Sequence, residues 1–176
     1  MDISKATWII ADPHFNHENI IKYARRPFAH KQEMDRILME NWNSVVHPVD
    51  DVLILGDFIV TNNVDDLAVY IKKLNGFKTL LMGNHDRNHD KRSFLKAGCV
   101  EVIDHPILWN NYFLFSHEPV DWIDDMLPIL NIHGHIHEKK HFNLSNHHYN
   151  ASVENLSYTP IQLVNILKTA KELNEQ

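Results

Sequence analysis

The stretch Lys78-Thr79-Leu80-Leu81-Met82-Gly83-Asn84-His85-Asp86 passes in one step from an apolar run to a polar cluster. Residues 78–82 read as a buried strand, a short aliphatic run bounded by polar residues. Gly83 lets the backbone turn sharply or approach something closely. The three side chains after it are chemically specific. An Asn amide oxygen suits a hard divalent cation. An adjacent His–Asp pair is a common way of holding an imidazole in one tautomer. The same event occurs twice upstream, where apolar run 7–11 leads into Asp12-Pro13-His14 and run 51–55 into Gly56-Asp57. Residues two apart in extended chain project the same way, so Asp12 and His14 can share one cation.

Between these strands the pattern turns helical. Met34, Ile37, Leu38, Trp42, Val45 and Val46 share one helical face, which predicts a helix over 31–46. A second helix is expected over 64–74, stopped by Asn75-Gly76, and a third over 90–97, ended by Gly98. Beyond it come short strands without long helices, at 100–103, 107–109, 112–115, 129–133 and 147–153, with Asn110-Asn111 as a tight hairpin turn. Thr159-Pro160 opens a last helix, Thr as N-cap and Pro in the first turn. Two more polar clusters close strands of this half, Ser116-His117-Glu118-Pro119 and Gly134-His135-Ile136-His137. A βαβαβα order followed by a β-rich half predicts an α/β sandwich, and the lack of a linker or repeat predicts a single domain over 1–176.

Composition narrows the function. The 176 residues are 44% apolar and 23% charged, ordinary for a folded domain that needs no disulfide. The longest apolar runs, about five residues, fall far short of the roughly 20 needed to span a bilayer. The start at Met1 has no basic segment or cleavage site of a secretory signal, and Cys99 has no second cysteine to pair with. Both point to a reducing cytoplasm and away from a membrane. A net charge of −6 argues against long nucleic acid, which needs a basic face. The 14 histidines are spread from His14 to His148, a distribution that excludes a tag and favours metal or proton chemistry.

Asp-x-His, Gly-Asp, Gly-Asn-His-Asp, His and Gly-His-x-His, in this order and each at a strand end, resemble the motif series of the calcineurin-like metallophosphoesterase superfamily. The resemblance covers nearly the whole chain and is closest to small single-domain bacterial and phage members without a cap. It implies an α/β/β/α sandwich, the metallo-dependent phosphatase fold, with two mixed β-sheets flanked by helices. It implies that Asp12, His14, Asp57 and His137 hold one metal ion, and that Asp57, Asn84, His117 and His135 hold a second, Asp57 bridging the two. Mixed O and N ligands without thiolate suit Mn²⁺ first, and also Fe, Ni²⁺, Zn²⁺ or Co²⁺. Such a pair generates a bridging hydroxide that attacks phosphorus. His85 would then stabilise or protonate the leaving alkoxide, with Asp86 orienting it.

His17 is expected to contact substrate, with a helix-start residue as its alternative, and Arg87 is expected to contact substrate. His133 lies on the strand face of His135 and is weighed as support for the metal site or as a packed strand histidine. Arg25 and Arg26 are weighed as phosphate contacts or as solvated surface charges, and His147, His148, Asn150 and Glu154 read as strand-edge residues. An uncapped domain favours a phosphodiesterase acting on small esters, nucleotides among them, over a phosphomonoesterase. The rival classes are a non-catalytic scaffold that binds a partner through its metal face, and a structural metal site. An oligomer is compatible with all of these.

Overall fold

The computed structural model describes residues 3–124, 126–139 and 145–174. The chain runs β1 (Trp8–Ile10), α1 (Glu18–Tyr23), α2 (Lys31–Val45), β2 (Asp51–Ile54), α3 (Val64–Lys73), β3 (Phe77–Leu81), α4 (Lys91–Ala97) and β4 (Glu101–Ile103). It continues through β5 (Ile107–Trp109), β6 (Phe113–Phe115), β7 (Leu130–His133), β8 (His148–Asn150), β9 (Ile161–Gln162) and α5 (Leu163–Asn174). One sheet has the order β4-β3-β2-β1-β9, parallel except for β9, and the other β5-β6-β7-β8, parallel except for β5.

Period-two alternation decides how these sheets pack. Ile10, Val52, Ile54 and Leu80 face the helices, where they meet Met34, Leu38 and Trp42 of α2, Leu67 and Ile71 of α3 and Phe94 of α4. Ile9, Leu53 and Leu81 face the other way, onto Phe115 and Ile132 of the second sheet, and Leu163 and Ile166 of α5 join that layer. The result is two mixed sheets flanked by helices, as expected. Side chains also cap the helices: Asn63 accepts from the Asp65 amide and Asp90 from that of Ser93, at 3.0 and 2.8 Å.

Two expectations fail. Residues 161–162 do not continue a helix from Thr159-Pro160; they pair antiparallel with β1, and α5 starts at Leu163. The open edge of β1 offered ladder partners that local helix signals do not register. Helix α1, which the sequence pattern left unassigned, follows His17, and its six residues bury only Ile20. Such a short element carries no legible 3.6-residue stripe.

For the site, register matters most. Ile10 pairs with Ile54, and Ile54 with Leu80, so β1, β2 and β3 end level and deliver three polar clusters to one edge.

Candidate metal centre

The loops after β1 and β2 stay zipped together beyond the strands. The amides of Asp12, His14 and Phe15 donate to the carbonyls of Gly56, Asp57 and Phe58, at 3.1, 3.0 and 2.9 Å. Ala11 bridges to Ser152, which ties the first sheet to the chain leaving β8. Five residues, Asp12, His14 and Asp57 of these loops and His135 and His137 after β7, adopt positive φ between 51° and 70°. Left-handed backbone is uncommon outside glycine, and its clustering marks a place where packing over-determines the chain. Two glycines are required by close approach. A Cβ on Gly83 would strike the Asp57 carboxylate, and one on Gly134 the Asp12 carboxylate.

Asp12 shows what the site can hold. Its Oδ2 accepts from the His135 amide and the Ser152 hydroxyl, both at 2.8 Å. Its Oδ1 is buried and has no hydrogen-bond partner, and neither has His14 Nε2. Burial pushes the Asp12 carboxyl up to about 6, against the pull of His117 and His137. Burial, with the Arg26 charge nearby, holds His14 well below the ordinary histidine value, so its ring is neutral with a lone pair to offer. One ligand atom each from Asp12, His14 and His137 lie within 4.8 Å of one another.

A second group lies beside the first. One ligand atom each from Asp57, His117 and His135 cluster within the same distance. His117 Nδ1 donates to the Leu55 carbonyl at 2.9 Å, which leaves Nε2 as a lone pair. That lone pair faces Asn84 Oδ1 at 3.0 Å and Asp57 Oδ2 at 3.6 Å. His135 Nδ1 lies 3.0 Å from Asn84 Oδ1 and 3.2 Å from His117 Nε2. Burial lowers the His135 pKa too. Carboxylate and amide oxygens and imidazole nitrogens thus crowd together, an arrangement that a divalent cation satisfies. Asp57 Oδ2 also stands 3.4 Å from His14 Nε2, so this one carboxylate borders both groups. All seven residues expected to hold metal converge, and as a set of O and N donors they fit two divalent cations.

His85 stands at the mouth. Its amide donates to Asp57 Oδ1 at 2.8 Å, its half-exposed ring packs edge-on to that of His14, and Nε2 is 4.0 Å from Asp57 Oδ2. Asp86 does something other than expected. Its fully buried carboxylate accepts the amides of Asp57 at 2.7 Å, Phe58 at 3.0 Å and Gly83 at 2.9 Å. It therefore pins the second and third loops together rather than orienting the His85 ring. Burial, reinforced by the Asp57 charge, pushes it up to about 6 despite those amides.

The open cavity, about 530 Å³, is lined by His14, His17, His85, His135, His137, Asp57 and Asn84, with Ile20 and Tyr23 of α1 on one wall. His17 is here, and its Nδ1 meets His14 Nδ1 at 3.2 Å, so it braces that ring as well as facing the cavity. Arg87 is not among the lining residues; it borders a separate depression with His105 and Glu118. Arg26 is no surface charge. It is 4% exposed and donates to the carbonyls of Asp12 and Pro13, at 2.7 and 2.8 Å, and to Glu154. Glu154 is no mere edge residue either, because His137 Nδ1 meets its Oε1 at 3.0 Å. Burial alone would raise the Glu154 pKa, but the bond from His137 and the Arg26 charge hold it below the ordinary value. Asn150 and Asn155 hold the His137 carbonyl, at 2.6 and 3.1 Å. His133 is the packed strand histidine, wholly buried with Nδ1 against the Gly134 carbonyl, and burial pushes it down to about 4. Arg26 and Glu154 are 128 positions apart, and nothing local in the sequence signals their pairing.

A family model described as calcineurin-like phosphoesterase matches residues 6–170. The chain is 37% identical over 173 residues to the uncharacterized protein MJ1445 of Methanocaldococcus jannaschii, covering 92% of this chain and 89% of that one. It is 33% identical over 85 residues to the Gene 66 protein of Mycobacterium phage L5, a match that spans 47% of this chain and 41% of the phage protein. Among solved structures, the protein of unknown function AQ665 from Aquifex aeolicus shares 29% identity at a TM-score of 0.69, over 93% of this chain and 98% of that chain. With the motifs in place on the metallo-dependent phosphatase fold, the chain belongs to the calcineurin-like phosphoesterase family.

Proposed function

We propose that the protein is a phosphodiesterase that hydrolyses small esters, nucleotides among them, with two divalent cations, Mn²⁺ first. The observation that carries this reading is the convergence of Asp57 Oδ2, Asn84 Oδ1, His117 Nε2 and His135 Nδ1, oxygen and nitrogen atoms that neighbour one another at 3.0–3.6 Å. Asp12, His14, Asp57 and His137 would hold one ion, and Asp57, Asn84, His117 and His135 the other. When bound, two such ions lower the pKa of water and neutralise phosphoryl oxygens. His85, half-exposed and 4.0 Å from Asp57, would give its proton to the leaving oxygen. His17 would face substrate from the wall.

The diester preference rests on the cavity wall. Lys139 is the one Lys or Arg among its described lining residues, while Ile20, Tyr23 and Ala24 supply apolar contact. That suits a monoanionic diester with an organic group better than a monoester dianion. The proposed partner is thus a small phosphoester and not long nucleic acid, in a cytoplasmic single-domain protein that is free to oligomerise. Among the described residues no helix is long and apolar enough to cross a membrane.

The test compares bis-p-nitrophenyl phosphate with p-nitrophenyl phosphate on metal-stripped protein resupplied with Mn²⁺, Ni²⁺, Zn²⁺ or Mg²⁺. Metal-dependent cleavage favouring the diester is expected. Preference for the monoester would make the protein a phosphatase, and two bound ions without any turnover would favour a binding role.

A further inference from the structure

Every histidine offered to a cation needs its other ring nitrogen held, and the three best-buried ones are held differently. His117 uses a backbone carbonyl, that of Leu55, and His14 uses the ring of His17. His137 uses Glu154, and Glu154 is itself engaged by Arg26 through Nε and Nη2, each at 2.8 Å and each on the oxygen that His137 meets. Both side chains of this ion pair are almost wholly excluded from solvent, 0% exposed for Arg26 and 5% for Glu154. The same guanidinium reaches the carbonyls of Asp12 and Pro13. One buried cation thereby ties the first motif loop to the support of the last.

Resting on the proposed two-cation centre, we propose that Glu154, clamped by Arg26, is a positioning residue that fixes His137 with its proton on Nδ1 and so aims Nε2 at Asp12 and His14. Arginine can only donate, and it occupies the shared oxygen, so the carboxylate is left to accept. The proton between Glu154 and His137 therefore sits on the ring. Neither Glu154 nor Arg26 is among the described lining of the cavity, which separates them from substrate. Because His117 is held by a backbone carbonyl, the second cation owes nothing to this device. Glu154 should thus govern one of the two ions only.

The experiment titrates metal-stripped wild type, Glu154→Ala and Glu154→Gln with Co²⁺, reading each ion's affinity by calorimetry, the visible spectrum of the bound ion, and the melting temperature of the metal-free proteins. In Glu154→Ala, one of the two ions should bind roughly 10–100-fold more weakly, the scale for losing the partner of a ligating histidine, with the other unchanged. Glu154→Gln keeps an acceptor oxygen for Nδ1 and should recover most of that affinity and the wild-type spectrum. Wild-type affinity for both ions in Glu154→Ala would overturn the proposal. Equal weakening of both ions in both variants would also overturn it, by making the pair a support of the fold alone. Wild type that takes up no Co²⁺ would remove the two-cation reading itself, and this inference with it.

Discussion

Removing one hydroxyl, in Tyr70→Phe, tests how the loop after the first motif is held. Tyr70 of α3 donates to Asp35 Oδ2 at 2.6 Å, and both Asp35 oxygens accept the Asn16 amide, at 3.0 and 3.2 Å. Asn16 is itself left-handed, two residues past His14, so this carboxylate restrains the chain that carries a ligand. Burial raises the Asp35 pKa above the ordinary carboxylate value, against the bonds from Tyr70 and Asn16. In the fold Asp35 therefore holds a proton more readily than in the unfolded chain, and its contribution to stability declines as pH rises through the folded pKa. Tyr70→Phe removes a bond that favours the ionised form, so that pKa should climb further. The cost should be about 1 kcal/mol at about pH 3.5, below the ordinary carboxylate value, where the bond is neutral, and roughly 2–3 kcal/mol at pH 7, a bond to a charged group. For a chain of this length, the pH 7 loss corresponds to roughly 4–12 °C in melting temperature. The ring contact with Phe15 is retained, so packing is unchanged. Urea unfolding of the metal-free protein at both pH values measures the difference. An equal loss at the two values, or no loss at pH 7, would refute the account of Asp35.

His85→Ala should keep both cations but lower turnover roughly 10²–10⁴-fold, and elemental analysis beside hydrolysis separates the two effects. Asp86→Ala strips the acceptor from the amides of Asp57, Phe58 and Gly83, so it should lower metal content as well as turnover; turnover lost with metal retained would instead return Asp86 to the role of orienting His85. Gly134→Ala drives a methyl group into the Asp12 carboxylate and should reduce metal content, whereas wild-type content would show that the loop yields.

What could be read in the sequence follows from where each signal is stored. Strands 7–11, 51–55 and 78–82 announce themselves through contiguous aliphatic residues, and the seven donor residues through short spacings at strand ends. Both signals are local, and all seven residues converge. The Arg26–Glu154 pair and the Ser152 bond to Asp12 depend on the chain after β8 being brought beside the chain after β1, a contact over more than a hundred positions. Strand β9 was hidden because its place is set by the free edge of β1, while Thr159-Pro160 carries the marks of a helix start. Asp86 was misread for a related reason. Its neighbour His85 suggested a side-chain pair, yet three backbone amides from two loops converge on it only once the sheet has formed.

Counting cations tests the central claim most directly. Metal-stripped wild type and Asp57→Ala would be reconstituted with Mn²⁺, freed of excess, and analysed for Mn per chain beside hydrolysis of bis-p-nitrophenyl phosphate. The account predicts about two ions per wild-type chain, as a paired centre requires. Asp57→Ala should hold fewer than about one and lose hydrolysis, because its carboxylate borders both groups. Wild type with no bound Mn²⁺, or Asp57→Ala with the full complement and full turnover, would contradict it.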